Sequence, residues 1–256
     1  MKKILMFGKN GLISYRIKQL MGDQVLALGS DEVDFKSNDQ ILNALEKLKP
    51  DLIINAAAYT KVDQAEDEVA IAHQINGFAV GTIANWVKKN NAFLIHFSTD
   101  YVFDGLQQSG YKPNDKTAPI NAYGESKLLG ETEILRSQAK AAVFRISWIY
   151  DQDRGQNFFK TMQKLMTERT EISVVNDQWG MPTEAKWVAE KIVNFIQKNE
   201  MKTGTFHLSP QGIMSWYDFA VQIKNQFNYK VDIKPVPSEQ YKTKAKRPKY
   251  SKLIEG

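Results

Sequence analysis

The sequence predicts an α/β protein with a doubly wound parallel sheet. Short apolar runs, each suited to a strand buried on both faces, alternate with amphipathic segments through about the first 150 of the 256 residues. Strands that alternate with helices in this way usually pair in parallel, because the helices cross over the faces of the sheet. In the rest of the chain, Pro, Gly and aromatic residues punctuate shorter elements. We therefore expect two lobes, residues 1–150 and residues 151–256, with an approximate boundary.

The predicted elements follow from hydrophobic periodicity. The strands of the first lobe are predicted at residues 3–7, 25–28, 52–54, 93–97 and 143–146. The helices are predicted at residues 12–21, 38–48 and 71–89. Ser37 or Asn38 is a suitable N-cap for the second helix, and Pro50 follows its expected end.

Composition excludes several classes of protein and site. With 43% hydrophobic residues the chain can bury a large core, and no apolar run approaches the roughly 20 residues of a membrane helix. Since the chain has no cysteine and only three histidines, we expect no disulfide, no thiol nucleophile and no metal centre. The N-terminus lacks the features of a signal peptide, so the expected location is the cytoplasm, without membrane partners.

Basic residues crowd into one late stretch of a chain whose net charge is +5. The cluster consists of Lys242, Lys244, Lys246, Arg247 and Lys249. A solvated surface is the simpler interpretation, and binding of a polyanion is the sharper one. Because no helix-turn-helix, zinc-finger or RNA-binding aromatic motif accompanies the charge, we do not expect a nucleic-acid partner.

A glycine-bearing loop follows the first predicted strand. Gly8, Gly11 and Ser14 have the spacing of a Gly-x-x-Gly-x-x-Gly loop, with serine in the third position. Between a strand and a helix, such a loop places backbone N–H groups where they can bind a pyrophosphate. Tight turns also use glycine for conformational reasons alone, so the loop by itself leaves both interpretations open.

Later strand ends supply candidates for the rest of a dinucleotide. Asp34 and Phe35 could flank an adenine, and residues 55–60 (Asn-Ala-Ala-Ala-Tyr-Thr) could pass small side chains beneath the cofactor. Close packing of a strand end is the alternative interpretation of the alanines. The second strand ends in residues 28–30 (Leu-Gly-Ser), with no acidic residue directly placed there to hold a ribose 2′-hydroxyl, so the choice between NAD and NADP stays open.

Tyr123 and Lys127 form the main candidate pair for acid-base chemistry. Their i,i+4 spacing puts a phenol and an ammonium on one face of a helix. A phenol has an ordinary pKa of about 10, and a nearby cation favours the phenolate, as proton transfer near neutral pH requires. The spacing is also common in solvated surface helices. It gains weight from Ser98 and Thr99, which end a predicted strand at the edge where such sheets bind ligands.

At this point the sequence resembles a known family, the extended short-chain dehydrogenase/reductases with their Rossmann-type fold, and within them the dTDP-4-dehydrorhamnose reductases. The resemblance covers nearly the whole chain. Its landmarks occur in the family's order at residues 8–14, 55–66, 98–103, 121–131, 145–150, 157–158, 174–183, 215–220 and 247–251. Each landmark is weak alone, and together they are specific.

The resemblance implies NADPH-dependent reduction of the C4 keto group of a dTDP-linked sugar, with NADH as a possible cofactor. Tyr123 would be the proton donor, Lys127 would lower its pKa and hold the nicotinamide ribose, and Thr99 would bond the carbonyl oxygen. Asp100 and Trp148 would contact the sugar nucleotide. With Tyr123 and Lys127, the implied cofactor residues are Gly8, Gly11, Leu12, Ile13, Asp34, Phe35, Ala58, Tyr59 and Thr60.

Several positions depart from the family pattern. Leu12 replaces a polar residue, Ser14 replaces glycine, and Pro113 stands where an acidic residue is common. Relatives continue into a final helical segment beyond the last landmark, so we expect that the second lobe lacks it. Some relatives dimerise through a metal held by acidic residues. Arg16 occupies the matching helix region here, so no metal is expected, and monomer and homodimer both stay open.

Two other functions stay open at the level of sequence. The catalytic residues do not distinguish this reduction from that of a sibling reductase or epimerase acting on another nucleotide-linked keto sugar. A related fold also serves as the regulatory β subunit of methionine adenosyltransferase, which is a binding protein rather than primarily a reductase.

Overall fold

A six-stranded parallel sheet forms the centre of the protein. The computed structural model describes residues 2–198, 201–210 and 212–255. The six strands are β1 (Ile4–Phe7), β2 (Val25–Leu28), β3 (Leu52–Asn55), β4 (Phe93–Thr99), β5 (Ala141–Ile146) and β10 (Gly204–Leu208). They lie side by side in the order β2-β1-β3-β4-β5-β10. The predicted α/β fold with a parallel sheet is confirmed.

Helices cover both faces of this sheet. They are α1 (Leu12–Met21), α2 (Asn38–Leu48), α3 (Val69–His73), α4 (Ala79–Asn90), α5 (Ala122–Ser137) and α7 (Ala185–Gln197). Side chains alternate along β1, so Leu5 and Phe7 pack under α2 and α4, whereas Met6 packs under α1 and α7. Both faces of the sheet are therefore apolar, as the continuous hydrophobic strands require.

The predicted helix at residues 71–89 is wrong in its middle. The chain instead forms α3, a π-helical turn at Gln74–Phe78, and then α4. The turn brings the carbonyl of Asn76 against Gly130 of α5, where a β-carbon would overlap it. Because this contact joins segments distant in sequence, hydrophobic periodicity gives no sign of it.

The second lobe has its own apolar core. It contains α6 (Phe158–Glu168) and α8 (Trp216–Phe227), packed on the parallel pair β7 (Glu171–Val175) and β12 (Asp232–Val236). Short strands connect the lobes, namely β6 (Ile149–Tyr150), β8 (Trp179–Gly180), β9 (Thr183–Glu184) and β11 (Met214–Ser215). Within the described ranges, no helix is long and apolar enough to span a bilayer.

Part of the segment 151–256 lies in the central unit. The chain leaves β5, forms α6 and β7, returns through α7 to β10 at the edge of the main sheet, and then leaves again for α8. The division of function at residue 150 stays a prediction. In space, α7 and β10 belong with the strands of the first half.

Candidate active site

The site lies along the carboxyl ends of the central strands. The strand order reverses between β1 and β3, since β2 is added on one side of β1 and β3 on the other, and ligands of doubly wound folds bind at this switch point. One cavity of about 300 Å³ follows β1 and β2, and a second of about 540 Å³ follows β4 and β5. Gly11, Ala58 and Thr60 line both cavities. A long ligand that fills the first cavity can therefore extend into the second.

The loop after β1 is shaped for close approach of a ligand backbone. Gly8 has φ +86°, and a β-carbon there would come within 2.6 Å of the Ala57 nitrogen, so glycine is required. Gly11 is the N-cap of α1 and brings no side chain to bond its first N–H groups. These N–H groups stay available to an anion, and a pyrophosphate suits them in size and charge.

The first cavity joins residues from three predicted segments. Gly8 and Gly11, Asp34 and Phe35, and Ala58 share its walls. Phe35 is itself buried and packs edge-on against Phe7, with ring centroids 5.2 Å apart, so it serves the core as well as the cavity.

Charged side chains stand beside this cavity. Lys9 Nζ lies 2.8 Å from Asp31 and 2.7 Å from Glu32, which follow β2. These two carboxylates raise the pKa of Lys9. Both signs of charge therefore meet where the loops after β1 and β2 face each other.

Asn76, which sequence reasoning did not identify, fastens the loop after β3 to α5. Its Oδ1 accepts the backbone N–H of Tyr59 at 2.8 Å, and its Nδ2 donates to Ser126 Oγ at 2.9 Å. The Tyr59 hydroxyl donates to Glu68 at 2.8 Å and so points along its own loop. Tyr59 itself lines neither cavity, and Asn76 fixes the position of its backbone between Ala58 and Thr60, which line both.

Tyr123 stands in the first turn of α5. Asn121 caps this helix by accepting the N–H of Gly124 at 2.7 Å, and a β-carbon at Gly124 would overlap the Tyr101 carbonyl. The rings of Tyr101 and Tyr123 meet edge to face at 5.8 Å. The start of α5 is therefore held tightly, with Tyr123 in the wall of the 540 Å³ cavity.

Lys127 is buried one turn further along α5. Its Nζ donates to the Phe97 carbonyl at 2.7 Å and lies 3.5 Å from His96 Nε2. Burial lowers the pKa of Lys127 to about 8, although Glu131 opposes the shift. The amine therefore titrates close to neutral pH.

The pKa of the Tyr123 phenol is shifted in the direction opposite to the one expected from the sequence. Burial, followed by the negative charge of Asp100, raises its pKa above 10, and the neighbouring Thr99 hydroxyl opposes the shift. Lys127 was expected to lower this pKa, but its Nζ bonds to the Phe97 carbonyl instead. Tyr123 is therefore held as a neutral phenol, the protonation state of a proton donor.

Thr99 and Asp100 form a hydroxyl-carboxylate pair beside Tyr123. Thr99 Oγ1 accepts the N–H of Tyr101 at 3.2 Å and donates to Asp100 Oδ1 at 3.0 Å. The other carboxylate oxygen, Asp100 Oδ2, is buried and has no hydrogen-bond partner in the described part of the chain. A buried acceptor of this kind suits a ligand hydroxyl or N–H group.

Asp100→Asn should remove a pH dependence of stability. Burial raises the pKa of Asp100 from 3.8 to about 6, although Ser251 and Thr99 oppose it. The folded state then binds the proton more tightly than the unfolded chain, so ionisation costs stability as pH rises from about 4 to about 6. We expect the variant to gain on the wild type by about 2 to 3 kcal/mol between pH 4 and pH 7, measured by urea unfolding. The control is Asp23→Asn, at an exposed position. If the stability difference between Asp100→Asn and the wild type stayed as constant with pH as that of the control, the prediction would be contradicted.

Trp148 lies in the same cavity in an unusual conformation. Its φ is +47°, a left-handed value that is uncommon outside glycine and rare for a bulky residue. Its indole stacks on Trp216 with ring centroids 3.4 Å apart, and Gly180 lies against its edge. Trp216, which was missed because its landmark carried no assigned role, lines the cavity too.

Arg16 fastens the second lobe to α1. Its guanidinium donates to both oxygens of the buried Asp151 at 2.6 and 2.7 Å, and to Asp153 at 2.5 Å. Leu12 of the same helix contacts the loop at Gly155. No group of three metal-ligating side chains occurs in residues 2–198, 201–210 and 212–255.

Comparison with known proteins decides the family. The family described as "RmlD substrate binding domain" matches residues 1–255. The chain belongs to this family of dTDP-4-dehydrorhamnose reductases. A relative of that name from Burkholderia thailandensis is 36% identical over 98% of this chain and 90% of its own length. The predicted resemblance is confirmed.

Solved structures of family members share the architecture. The dTDP-4-dehydrorhamnose reductase of Bacillus anthracis in complex with NADP has a TM-score of 0.95 and 36% identity, covering 100% of this chain and 92% of its own. The Clostridium acetobutylicum orthologue has a TM-score of 0.94 and 34% identity, covering 98% and 90%. The residue assignments at the site stay predictions, now within a confirmed family.

Proposed function

We propose that the protein reduces the C4 keto group of dTDP-4-dehydro-L-rhamnose with NADPH and so forms dTDP-L-rhamnose. The observation that carries the proposal is the 540 Å³ cavity, where Thr99, Tyr123, Lys127 and Trp148 meet residues of the phosphate loop. Family membership over residues 1–255 supports the same reaction. The nucleotide sugar is accordingly the proposed small-molecule partner.

The cofactor site is proposed along the loops after β1, β2 and β3. Gly8 and Gly11 leave room for a pyrophosphate, and α1 supplies unbonded N–H groups. Asp34, Phe35 and Ala58 line the cavity beyond. NADPH, when bound, supplies the hydride that reduces the carbonyl. NADP is bound by the Bacillus anthracis relative, and NADH stays an alternative that the assay below compares.

Proton transfer is proposed for Tyr123. Its phenol is neutral in this site, and donation of that proton to the carbonyl oxygen turns the keto group into a hydroxyl. Thr99 would orient the carbonyl oxygen, and Lys127 would help return a proton to Tyr123. Lys127 suits that task because its pKa of about 8 lies close to working pH.

The sugar nucleotide is proposed to lie between Asp100 and Trp148. Asp100 Oδ2 offers an unused acceptor for a sugar hydroxyl. Trp148 offers an apolar ring surface, and Trp216 supports it from behind at 3.4 Å. A polar acceptor and an apolar ring surface thus line the same cavity, a combination that suits a sugar.

Gly180→Ala should weaken binding of the sugar nucleotide and spare the cofactor. The added methyl group would overlap the Trp148 ring, so the ring must leave its position. We expect the substrate KM to rise roughly tenfold, the equivalent of modest overpacking. The measurement is steady-state kinetics, with NADP(H) affinity by fluorescence titration as the control. Equal losses of affinity for the sugar nucleotide and for NADP(H) would instead indicate general damage to the fold.

A direct assay tests the proposed function. Purified protein is mixed with NADPH and dTDP-4-dehydro-L-rhamnose, and the absorbance of the reduced cofactor is followed. Parallel reactions use NADH and the corresponding UDP- and GDP-linked keto sugars. Turnover with the dTDP sugar supports the proposal, and faster turnover with another base or only epimerisation would replace it by the sibling function. The cytoplasmic location, oligomeric state and lobe division predicted above stay part of the proposal.

A further inference from the structure

A buried histidine next to Lys127 has no part in the chemistry proposed above. His96 belongs to β4 and is fully buried, and its Nε2 lies 3.5 Å from Lys127 Nζ. Across the ring, Nδ1 lies 3.2 Å from Nδ2 of Asn55, which ends β3. Three polar side chains from two strands and α5 are therefore in line beneath the cavity.

Asn55 decides which ring nitrogen carries the proton. The backbone N–H of Ala57 donates to Asn55 Oδ1 at 3.2 Å, so the opposite end of the amide, Nδ2, faces His96 as a donor. Nδ1 must then accept, and in a neutral ring the proton resides on Nε2. Burial, with the charge of Lys127, holds the pKa of His96 well below 6.5, so the ring is neutral. An N–H group rather than a lone pair therefore faces Lys127.

The neutral form of Lys127 fits this arrangement better than the ammonium. A neutral amine can donate to the Phe97 carbonyl at 2.7 Å and accept from His96 Nε2–H with its lone pair. An ammonium has no lone pair, so it faces the ring N–H without a bond. His96 and Asn55 thus work against the charged form.

We propose that His96 is a positioning residue whose Nε2–H group holds the Lys127 amine and favours its neutral form. The consequence for catalysis rests on the proposed function, in which Lys127 returns a proton to Tyr123. Because the ammonium is the form that carries this proton, a lowered titration midpoint of Lys127 sets the pH above which the step slows.

The other charged groups near Lys127 have their own partners. Glu131, one turn along α5, favours the ammonium. Its carboxylate, however, accepts from Arg145 of β5 at 2.6 Å and from Ser98 of β4 at 2.5 Å. Asp100 lies at the end of β4, and its Oδ1 accepts from Thr99. The His96 N–H group therefore opposes the ammonium form of Lys127, which Glu131 favours.

Two substitutions at His96 separate positioning from packing. In His96→Gln the amide can rotate and present its oxygen to Lys127, which stabilises the ammonium. His96→Asn keeps an acceptor for Asn55 but removes the group that faces Lys127. We expect the titration midpoint of Lys127 to rise by about half to one pH unit in both variants, and more in His96→Gln.

The midpoint is measured by NMR on the full chain labelled with 13C at the lysine ε-carbon. The Lys127 signal is the one missing from Lys127→Arg. His207→Gln is the matched control, because His207 is also buried and lies 3.5 Å from a cation, Arg145, but belongs to β10. Its substitution should leave the Lys127 midpoint unchanged. In active protein, the alkaline limb of the pH profile of kcat/KM should move upward in the His96 variants.

The outcomes distinguish the two proposals. An unchanged Lys127 midpoint in folded His96 variants overturns the inference, as does an equal rise in His207→Gln. Loss of folding in both His96 variants, with His207→Gln folded, would assign His96 a structural role and overturn it too. The titration needs no turnover. If the Lys127 midpoint rises as expected in the His96 variants while the wild type fails to consume NADPH, the proposed function alone is rejected.

Discussion

Tyr123→Phe is expected to lower kcat for the keto sugar by about 10²- to 10⁴-fold, the usual contribution of a positioned proton donor. The substitution removes one hydroxyl and keeps the ring, so the edge contact with Tyr101 at 5.8 Å is retained. Binding of NADP(H) and of the sugar nucleotide should therefore change little. Stopped-flow single turnover, with both ligands saturating, measures the chemical step directly.

A second tyrosine provides the matched control. Tyr229→Phe removes a hydroxyl at the edge of the second lobe's core, away from the cavity of 540 Å³. This variant should keep the wild-type rate. If Tyr123→Phe turned over as fast as Tyr229→Phe, Tyr123 would not be the proton donor, and a solvent molecule or Asp100 would have to take that role.

The pKa values at the site add an expectation for the pH dependence of the reaction. Its phenol is held neutral by burial and by Asp100, so the acid form is available at neutral and mildly alkaline pH. Lys127, with a pKa of about 8, loses its proton first. The rate of reduction in the wild type should accordingly fall as pH rises through about 8, and the fall reports Lys127 rather than Tyr123.

Local patterns predicted much of the fold. The bounds of α1 and α2 agree with the expected 12–21 and 38–48, because each helix has a clear apolar stripe and Ser37 caps the second. The π-helical turn was missed because Asn76 acquires its role from Gly130 and Tyr59. Such tertiary contacts leave no periodic signal in the sequence.

The same distinction applies to the site. Tyr123 and Lys127 are neighbours on one helix, so their spacing revealed them as candidates. His96 lies inside an apolar strand, and only the folded structure shows that it reaches Lys127. Trp216 gains its significance from stacking on a residue 68 positions earlier in the chain. Residues that support others are therefore the ones that sequence alone tends to miss.

Arg145→Met is expected to destabilise the protein by roughly 3 to 5 kcal/mol, the usual cost of leaving one member of a buried ion pair alone. Arg145 of β5 donates to Glu131 of α5 at 2.9 and 2.6 Å, and both side chains are less than a tenth exposed. Arg145 also donates to the Pro113 carbonyl at 3.0 Å. Removing it leaves the Glu131 carboxylate buried without its cation, although Ser98 still donates to it. Urea unfolding followed by circular dichroism measures the loss.

The double variant Arg145→Met with Glu131→Met tests the cause. If the cost comes from the stranded charge, removing the carboxylate as well should restore a large part of the lost stability. A double variant as unstable as the sum of the single ones would instead assign the loss to packing against Phe103, whose ring lies 4.9 Å from the guanidinium.

The position of this ion pair connects stability with catalysis. Glu131 lies one turn beyond Lys127 on α5, and β5 leads directly into Trp148, so the pair joins the helix of the proposed proton donor to the strand of the proposed sugar contact. We therefore expect Arg145→Met to lose activity chiefly through the amount of folded protein, with kcat per folded molecule much less affected than in Tyr123→Phe. Titrating the active sites with a tightly bound nucleotide ligand counts the folded molecules and so separates their amount from the kcat of each. A large fall in kcat at full occupancy would show that the ion pair also sets the geometry between α5 and β5.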